Sequence, residues 1–296
     1  MNVASQVTSQ QELGSRAFVI GMIRPDGTIA ADDLYAVGDR LGFSTHQLRL
    51  VIARLVSEGT FVQHGRGRKA VLRTTDRYAA LVEPEHDWLR MAYQQDAGLA
   101  PWDGRWTLVA FSLDEERRPA RNVLRELLHA MAAAPLAGGL YAHANDISLE
   151  VSRAAAELGV ADGLTVARTD ALTIGSRSRS TDIAEHLWPL EELAAGYRDF
   201  VETFRPHLRR RPADPIDELA MGFEMVAAFR RCSDADPLLP PELLPAKWPG
   251  AVARDVLRRF SARLGGARAA AGVPALFSRY DDLFDDLHHP PHVRSR

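Results

Sequence analysis

The chain has 296 residues, 46% of them apolar and 25% charged, which is the balance of a folded globular protein and excludes fibrous and disordered classes. Its formal net charge of −3 excludes wholesale electrostatic binding of nucleic acid, so any basic footprint must be local. The single cysteine, Cys232, cannot form an internal disulfide or a cysteine metal cluster, which fits a reducing cytoplasm.

The first residues, Met1 to Gln6, read as a short polar tail without the basic and apolar regions of a secretory signal. Apolar runs such as Ala17 to Ile23 are far too short to cross a bilayer, so no membrane partner is expected. Ala17 to Ile23 suits a first helix and Ala31 to Leu41 a second, with Leu34, Val37 and Leu41 on one side. Gly42-Phe43-Ser44 then turns the chain, and Ser44 is a good N-cap. Leu48, Val51, Ile52 and Leu55 follow at i, i+3, i+4 and i+7, the buried stripe of a third helix running from Thr45 to Glu58.

On a helical wheel His46, Arg49, Leu50 and Ala53 lie away from that stripe, with Gln47 and Arg54 towards its margins. Histidine, glutamine and arginine can hydrogen-bond base edges in the major groove, which admits a helix. Phe61 to His64 and Ala70 to Arg73 read as two strands joined by Gly65-Arg66-Gly67-Arg68-Lys69, a basic wing whose glycines permit a tight turn. From Ser44 to Arg73 there are six Lys or Arg residues against Glu58 alone. Most basic residues of this chain are arginine, a genomic bias, so it is the order of elements and not the arginine count that points to DNA. The expected reading surface comprises Thr45, His46, Gln47, Arg49 and Arg54 on the helix and Arg66, Arg68 and Lys69 on the wing.

Three segments are expected: a winged helix-turn-helix over 1–84, a central domain over 85–180 and a mainly helical domain over 181–296, an α+β multidomain chain. In the second, a strand at Trp106 to Phe111 precedes a helix at Arg118 to Met131, an extended run at Gly139 to His143, a helix at Ile147 to Leu158 and strands near Leu164 to Ala167 and Ala171 to Ile174. That order suits a ferredoxin-like α+β fold. In the third, apolar positions from Ile183 to Phe204 recur at helical spacing despite Pro189, which implies a kink or two helices. Further helices are expected over Ile216 to Arg230 and Ala251 to Leu264, with a non-helical connection from Asp236 to Pro241.

Several local patterns resemble one family. They are Gly42-Phe43-Ser44 through Leu48-Arg49, Arg54-Leu55, Gly59 and Gly67-Arg68; then Trp102-Asp103-Gly104-Arg105-Trp106-Thr107-Leu108 with Arg118 and Arg121. They continue with Leu187-Trp188-Pro189-Leu190 to Tyr197-Arg198-Asp199-Phe200, and with Asp236 to Pro245 and Trp248-Pro249-Gly250. On these the chain resembles the PaaX family, the repressors of phenylacetic acid degradation operons. The resemblance implies a homodimeric repressor of a double-stranded DNA operator, released by an acyl-coenzyme A, typically phenylacetyl-coenzyme A; no cofactor is expected. The segment Arg68 to Arg73 departs from the family in lacking a wing tyrosine.

The rival reading is a metal-dependent nuclease, because the second segment also resembles the ferredoxin-like nucleases of CRISPR adaptation complexes. Those proteins carry a metal-binding aspartate at the end of their first strand, where this chain has Ser112, and a hydroxyl does not replace a carboxylate as an anchor for a hard cation. Asp114 is out of register. His288, His289 and His292 sit in a proline-containing tail and read as an exposed cluster rather than a metal site. Neither a nucleophile elbow nor a phosphate loop is present, so no enzyme is expected. Trp102, Trp106 and Trp188 are most simply core residues. Even so, Arg105, Trp106, Arg117, Arg118 and Arg121 supply aromatic and cationic groups suited to an acyl-coenzyme A effector, since arginine forks match phosphate geometry.

Overall fold

A computed structural model of the protein describes residues 14–210, 212, 214–272 and 276–278. The terminal tail at Met1 to Gln6 and the histidines at 288, 289 and 292 lie outside these residues. The architecture is α+β, with two antiparallel sheets of three and four strands. The chain divides into two compact units, one formed by Met1–Met91, Val201–Phe229 and Ala253–Arg296, the other by Ala92–Phe200 and Arg230–Val252.

In the first unit, helix α1 (14–21) leads to strand β1 (Thr28–Ala30), α2 (Ala31–Arg40) and α3 (Thr45–Ser57). Ser44 caps α3, its Oγ accepting from the Gln47 amide at 3.2 Å, which satisfies one of the donors orphaned at a helix start. Leu48, Val51, Ile52 and Leu55 are buried as the spacing predicts. Beneath them the backbone of α2 comes so close at Gly38 that a Cβ there would lie 2.5 Å from Leu48 Cδ1 and 3.3 Å from the Phe18 ring, so glycine permits this approach of α2 to its neighbours.

Strands β2 (Phe61–His64) and β3 (Val71–Thr74) form the expected hairpin, with His64 opposite Val71. β1 adds a third strand antiparallel to β3, pairing Ile29 with Leu72. Three residues are too few to show a period-2 pattern, which is why the sequence did not signal it. Ile29, Phe61 and Leu72 are buried on the inner face. Helix α4 (Asp76–Asp96) follows, and its span includes Pro84, the expected end of the first segment.

The first unit also contains parts of α9 (Pro215–Ser233) and α10 (Pro249–Ala271). Phe223 of α9 lies edge-on to Phe18 at 6.5 Å and to Phe43 at 6.0 Å, while Phe18 and Phe43 stack at 4.8 Å. Phe43 is the middle residue of the turn that launches α3, so an aromatic cluster built partly from the third segment fixes that turn.

The second unit is built on β4 (Trp106–Phe111), α5 (Arg118–Ala130), β5 (Ala134–Ala137), β6 (Leu140–His143), α6 (Ser148–Glu157) and β7 (Leu164–Thr169). The sheet runs β5-β6-β4-β7, antiparallel throughout, with Leu108 opposite both Ala142 and Ala167. Leu124, Ala155 and Val160 form a core with Phe111, Leu158 and Leu164 packed against it. β5 was not expected: it is short, contains Pro135 and sits at the sheet edge, where a missing amide is tolerated. The strand expected at Ala171 to Ile174 is not formed: residues 171–173 are irregular, and Ile174 pairs reciprocally with Arg177 across a tight turn. Pro189 separates α7 (Ser180–Leu187) from α8 (Leu190–Phe204), which settles the kink in favour of two helices. Residues 236–240 are non-helical, as their prolines require.

Candidate nucleic-acid interface

The surface of α3 opposite its buried stripe is exposed at Thr45, His46, Arg49, Leu50, Ala53 and Arg54. Gln47 sits at the margin, half-buried, with its Nε2 donating towards Ser15 Oγ at 3.5 Å. The one acid of this stretch, Glu58, faces two cations: Arg16 Nη1 lies 2.6 Å from its Oε2 and Arg54 Nε 3.8 Å from its Oε1. Its charge is therefore offset locally by these two cations. The ion pair turns Arg54 towards the C-terminal end of α3, whereas His46 and Arg49 lie in its first two turns.

The wing tip is a short 3-10 turn at Gly67–Lys69 between the two strands. Gly65 and Gly67 take φ of +82° and +64°, a left-handed conformation that other residues rarely adopt, so these two glycines permit the turn. The Ala70 amide donates to Gly67 O at 3.2 Å and Gln63 Nε2 to Gly65 O at 3.1 Å, closing the tip. Arg66, Arg68 and Lys69 are all exposed on it. Such cations suit phosphate contacts, and the side chains of α3 suit base edges. The exposed face of α3 also holds Leu50, which the sequence reading placed on the outer side without assigning it a role, and Arg73 is exposed on β3.

The five effector candidates are not brought together. Arg105 and Trp106 stand at the start of β4, while Arg117, Arg118 and Arg121 follow its end, a strand length of about 17 Å away. Trp106 is 1% exposed, edge-on to Trp102 at 5.5 Å and stacked on Trp188 at 6.2 Å, so its ring is part of the core. Arg105 is exposed. Arg117 pairs with Asp162 at 2.8 Å, and Arg118 and Arg121 both reach Glu115, at 3.3 and 3.0 Å. These three form a compact basic group at the start of α5, already engaged by acids.

At the end of β4, the Ser112 amide donates to Gly163 O, and Asp114 accepts from the Arg117 amide at 3.1 Å, which employs that carboxylate as a cap. Among the described residues no group of three or more His, Cys, Asp or Glu side chains is placed to hold a metal ion. Burial pushes the Cys232 thiol up to about 11, so at neutral pH it is a protonated, weakly nucleophilic thiol. No described helix is long and apolar enough to cross a membrane.

Comparison with known proteins relates most of the chain to one family. Residues 99–181 match the family model described as the PaaX protein central Cas2-like domain, and residues 188–271 match that of the PaaX-like protein C-terminal domain. Transcriptional repressor PaaX of Escherichia coli (strain K12) is 29% identical over 249 residues, covering 82% of this chain and 77% of that protein. Among solved structures, the uncharacterized protein Rv0674 from Mycobacterium tuberculosis superposes with a TM-score of 0.52, covering 82% of this chain and 91% of that one at 23% identity, a likeness of fold. With both of its later segments matched and a repressor as a relative along most of its length, this chain belongs to the PaaX family of transcriptional repressors.

Proposed function

We propose that the protein represses transcription by binding duplex DNA through a winged helix-turn-helix within residues 1–84, with α3 as the recognition helix and Gly65 to Lys69 as the wing. The observation that carries this is the exposed His46 and Arg49 face of α3 in the same small fold as a glycine-turned tip bearing Arg66, Arg68 and Lys69. In this reading His46, Arg49 and the marginal Gln47 select sequence, while Thr45, Arg54 and the wing cations position the protein on phosphates. Residues 85–180 form a ferredoxin-like domain, supported by the β-α-β-β-α-β path and sheet order, and residues 181–296 a helical domain. The protein acts in the cytoplasm as a homodimer on an inverted repeat, whose half-site centres lie a multiple of about 10 base pairs apart. The nuclease reading has no observation in its favour: Ser112 stands where an aspartate would be needed, and Asp114 is a cap.

The effector proposed is an acyl-coenzyme A, phenylacetyl-coenzyme A first, acting on residues outside the reading head. Its release of DNA requires tighter binding to the DNA-free conformation, and a coupling of about 1–3 kcal/mol corresponds to a loss of operator affinity of about 5- to 150-fold. The test begins by selecting duplexes from a random-sequence library with the full-length protein. Phenylacetyl-coenzyme A, phenylacetate and coenzyme A are then titrated separately into the selected complex. Release by the thioester alone is expected. Indifference to all three with DNA still bound removes this effector and leaves the repressor; failure to enrich any sequence removes the repressor reading itself.

A further inference from the structure

Leu50 is a large apolar side chain 60% exposed on a helix face otherwise made of polar and small groups. At about 100° per residue it lies nearly opposite the centre of the Leu48, Val51, Ile52 and Leu55 stripe, so nothing in the packing of α3 requires leucine there. Its neighbours on the same face are His46 at i−4, Arg49 at i−1, Ala53 at i+3 and Arg54 at i+4. All are exposed, and three of them carry nitrogen donors. The surroundings are cationic, with the exposed Arg66, Arg68 and Lys69 on the wing of the same unit. An apolar protein surface would have to strand the donors of His46 and Arg49 on docking, whereas a major groove offers acceptors to them and an apolar group to the leucine. The one apolar group a base pair presents in that groove is the thymine C5-methyl.

We infer that Leu50 is a specificity-determining residue that packs on a thymine methyl in the major groove, so that each half-site contains one thymine read by contact rather than by hydrogen bond. The inference rests on the reading of α3 as the recognition helix. Histidine and arginine at 46 and 49 discriminate bases by acceptor pattern, and Leu50 adds a discrimination they cannot make, between thymine and a pyrimidine without the methyl. Loss of one buried methyl corresponds to about a fourfold loss of affinity for each thymine read.

The experiment uses the full chain and duplexes selected from a random-sequence library, with each thymine replaced in turn by deoxyuridine, which removes the methyl and leaves the base pair intact. For the native protein, replacement at one position per half-site is expected to weaken binding about fourfold, and replacement elsewhere to change little. For Leu50→Ala the affinity for the thymine duplex is expected to fall by a similar factor, and deoxyuridine at that position to cost nothing more. Leu50→Met, which keeps an apolar contact, should retain part of the preference. Melting curves of the variants confirm that the fold is intact, as an exposed position predicts. If deoxyuridine has no effect at any position while the selected duplex is still preferred over a scrambled one, Leu50 does not read a methyl and the recognition helix stands. If Leu50→Ala weakens thymine and deoxyuridine duplexes equally at every position, the side chain serves protein packing or a protein partner and the assignment is overturned. If no duplex is preferred over a scrambled one, the reading of α3 itself fails and the inference falls with it.

Discussion

Replacing Glu218 with alanine is expected to destabilise the protein by about 3–5 kcal/mol, the cost of leaving an arginine whose side chain is only 13% exposed without its counter-charge. Glu218 is 7% exposed on α9 and accepts from Arg263 Nη2 of α10 at 2.5 Å. The guanidinium also donates to His207 O at 2.8 Å and Arg210 O at 3.1 Å, so one cation ties two helices to the turn at Arg205–Arg209. Truncating the acid removes the charge balance but leaves Arg263 held in place by those carbonyls, where little water can replace the carboxylate. Removing both partners as Glu218→Met with Arg263→Met should restore much of the loss, because the pair then disappears with its desolvation cost. Urea unfolding of the native protein and the two variants measures this. A Glu218→Ala midpoint equal to the native one would show that solvent already screens the pair. The consequence reaches function, because Phe223, one turn further along α9, packs against the Phe43 turn that precedes α3.

Acidification from pH 6.5 to 4 is expected to weaken the second unit by about 3 kcal/mol through one histidine. His143 is fully buried at the end of β6; its Nδ1 accepts from the Asn145 amide at 2.9 Å and its Nε2 lies 3.1 Å from Met131 O. That pattern selects the neutral ring with its proton on Nε2. Burial lowers the ring to about 4, against which the contacts with Asn145 and Met131 act only partly. The unfolded chain, titrating near 6.5, takes up a proton that the folded chain refuses, so the unfolded state is favoured increasingly as pH falls through that window. The full stability is present above pH 6.5. His143→Gln should flatten the dependence between pH 6.5 and 4 while leaving the changes due to carboxylates below it. Denaturant unfolding at half-unit pH intervals reads the effect, and an identical pH profile in native and variant protein would contradict it.

Much of the proposed reading head was legible because its signals are local. Ser44 as a cap and four apolar residues at helical spacing define α3 within a single stretch, and glycines alternating with cations define the wing. What was not legible depends on pairings far apart in sequence or on segments too short to show a period. β1 is three residues long, and the association of Phe223 with Phe18 and Phe43 spans about 200 positions. Pro84 within α4 illustrates a different limit: a proline weakens a helix but does not forbid one when the flanking residues favour it. The effector candidates lie towards the two ends of β4, Trp106 at its start and Arg117 beyond its end, a separation that closeness in sequence does not reveal. The core reading holds for Trp106 and Trp188, which are buried and stacked, whereas Trp102, edge-on to Trp106, is half-buried.

The claim that α3 and the wing together form the DNA interface is tested most directly by the salt dependence of binding. The full-length native protein is compared with Arg66→Ala/Arg68→Ala/Lys69→Ala and with His46→Ala/Arg49→Ala, on one selected duplex and one scrambled duplex, across a series of salt concentrations. The wing variant should bind both duplexes more weakly, with the slope of log affinity against log salt reduced by about 0.9 for each phosphate no longer engaged. The helix variant should lose its preference for the selected duplex, at about 1–3 kcal/mol for each base no longer read, while its affinity for the scrambled duplex changes far less. An unchanged slope in the wing variant together with an unchanged preference in the helix variant would contradict the account and place the DNA-binding surface elsewhere on the chain.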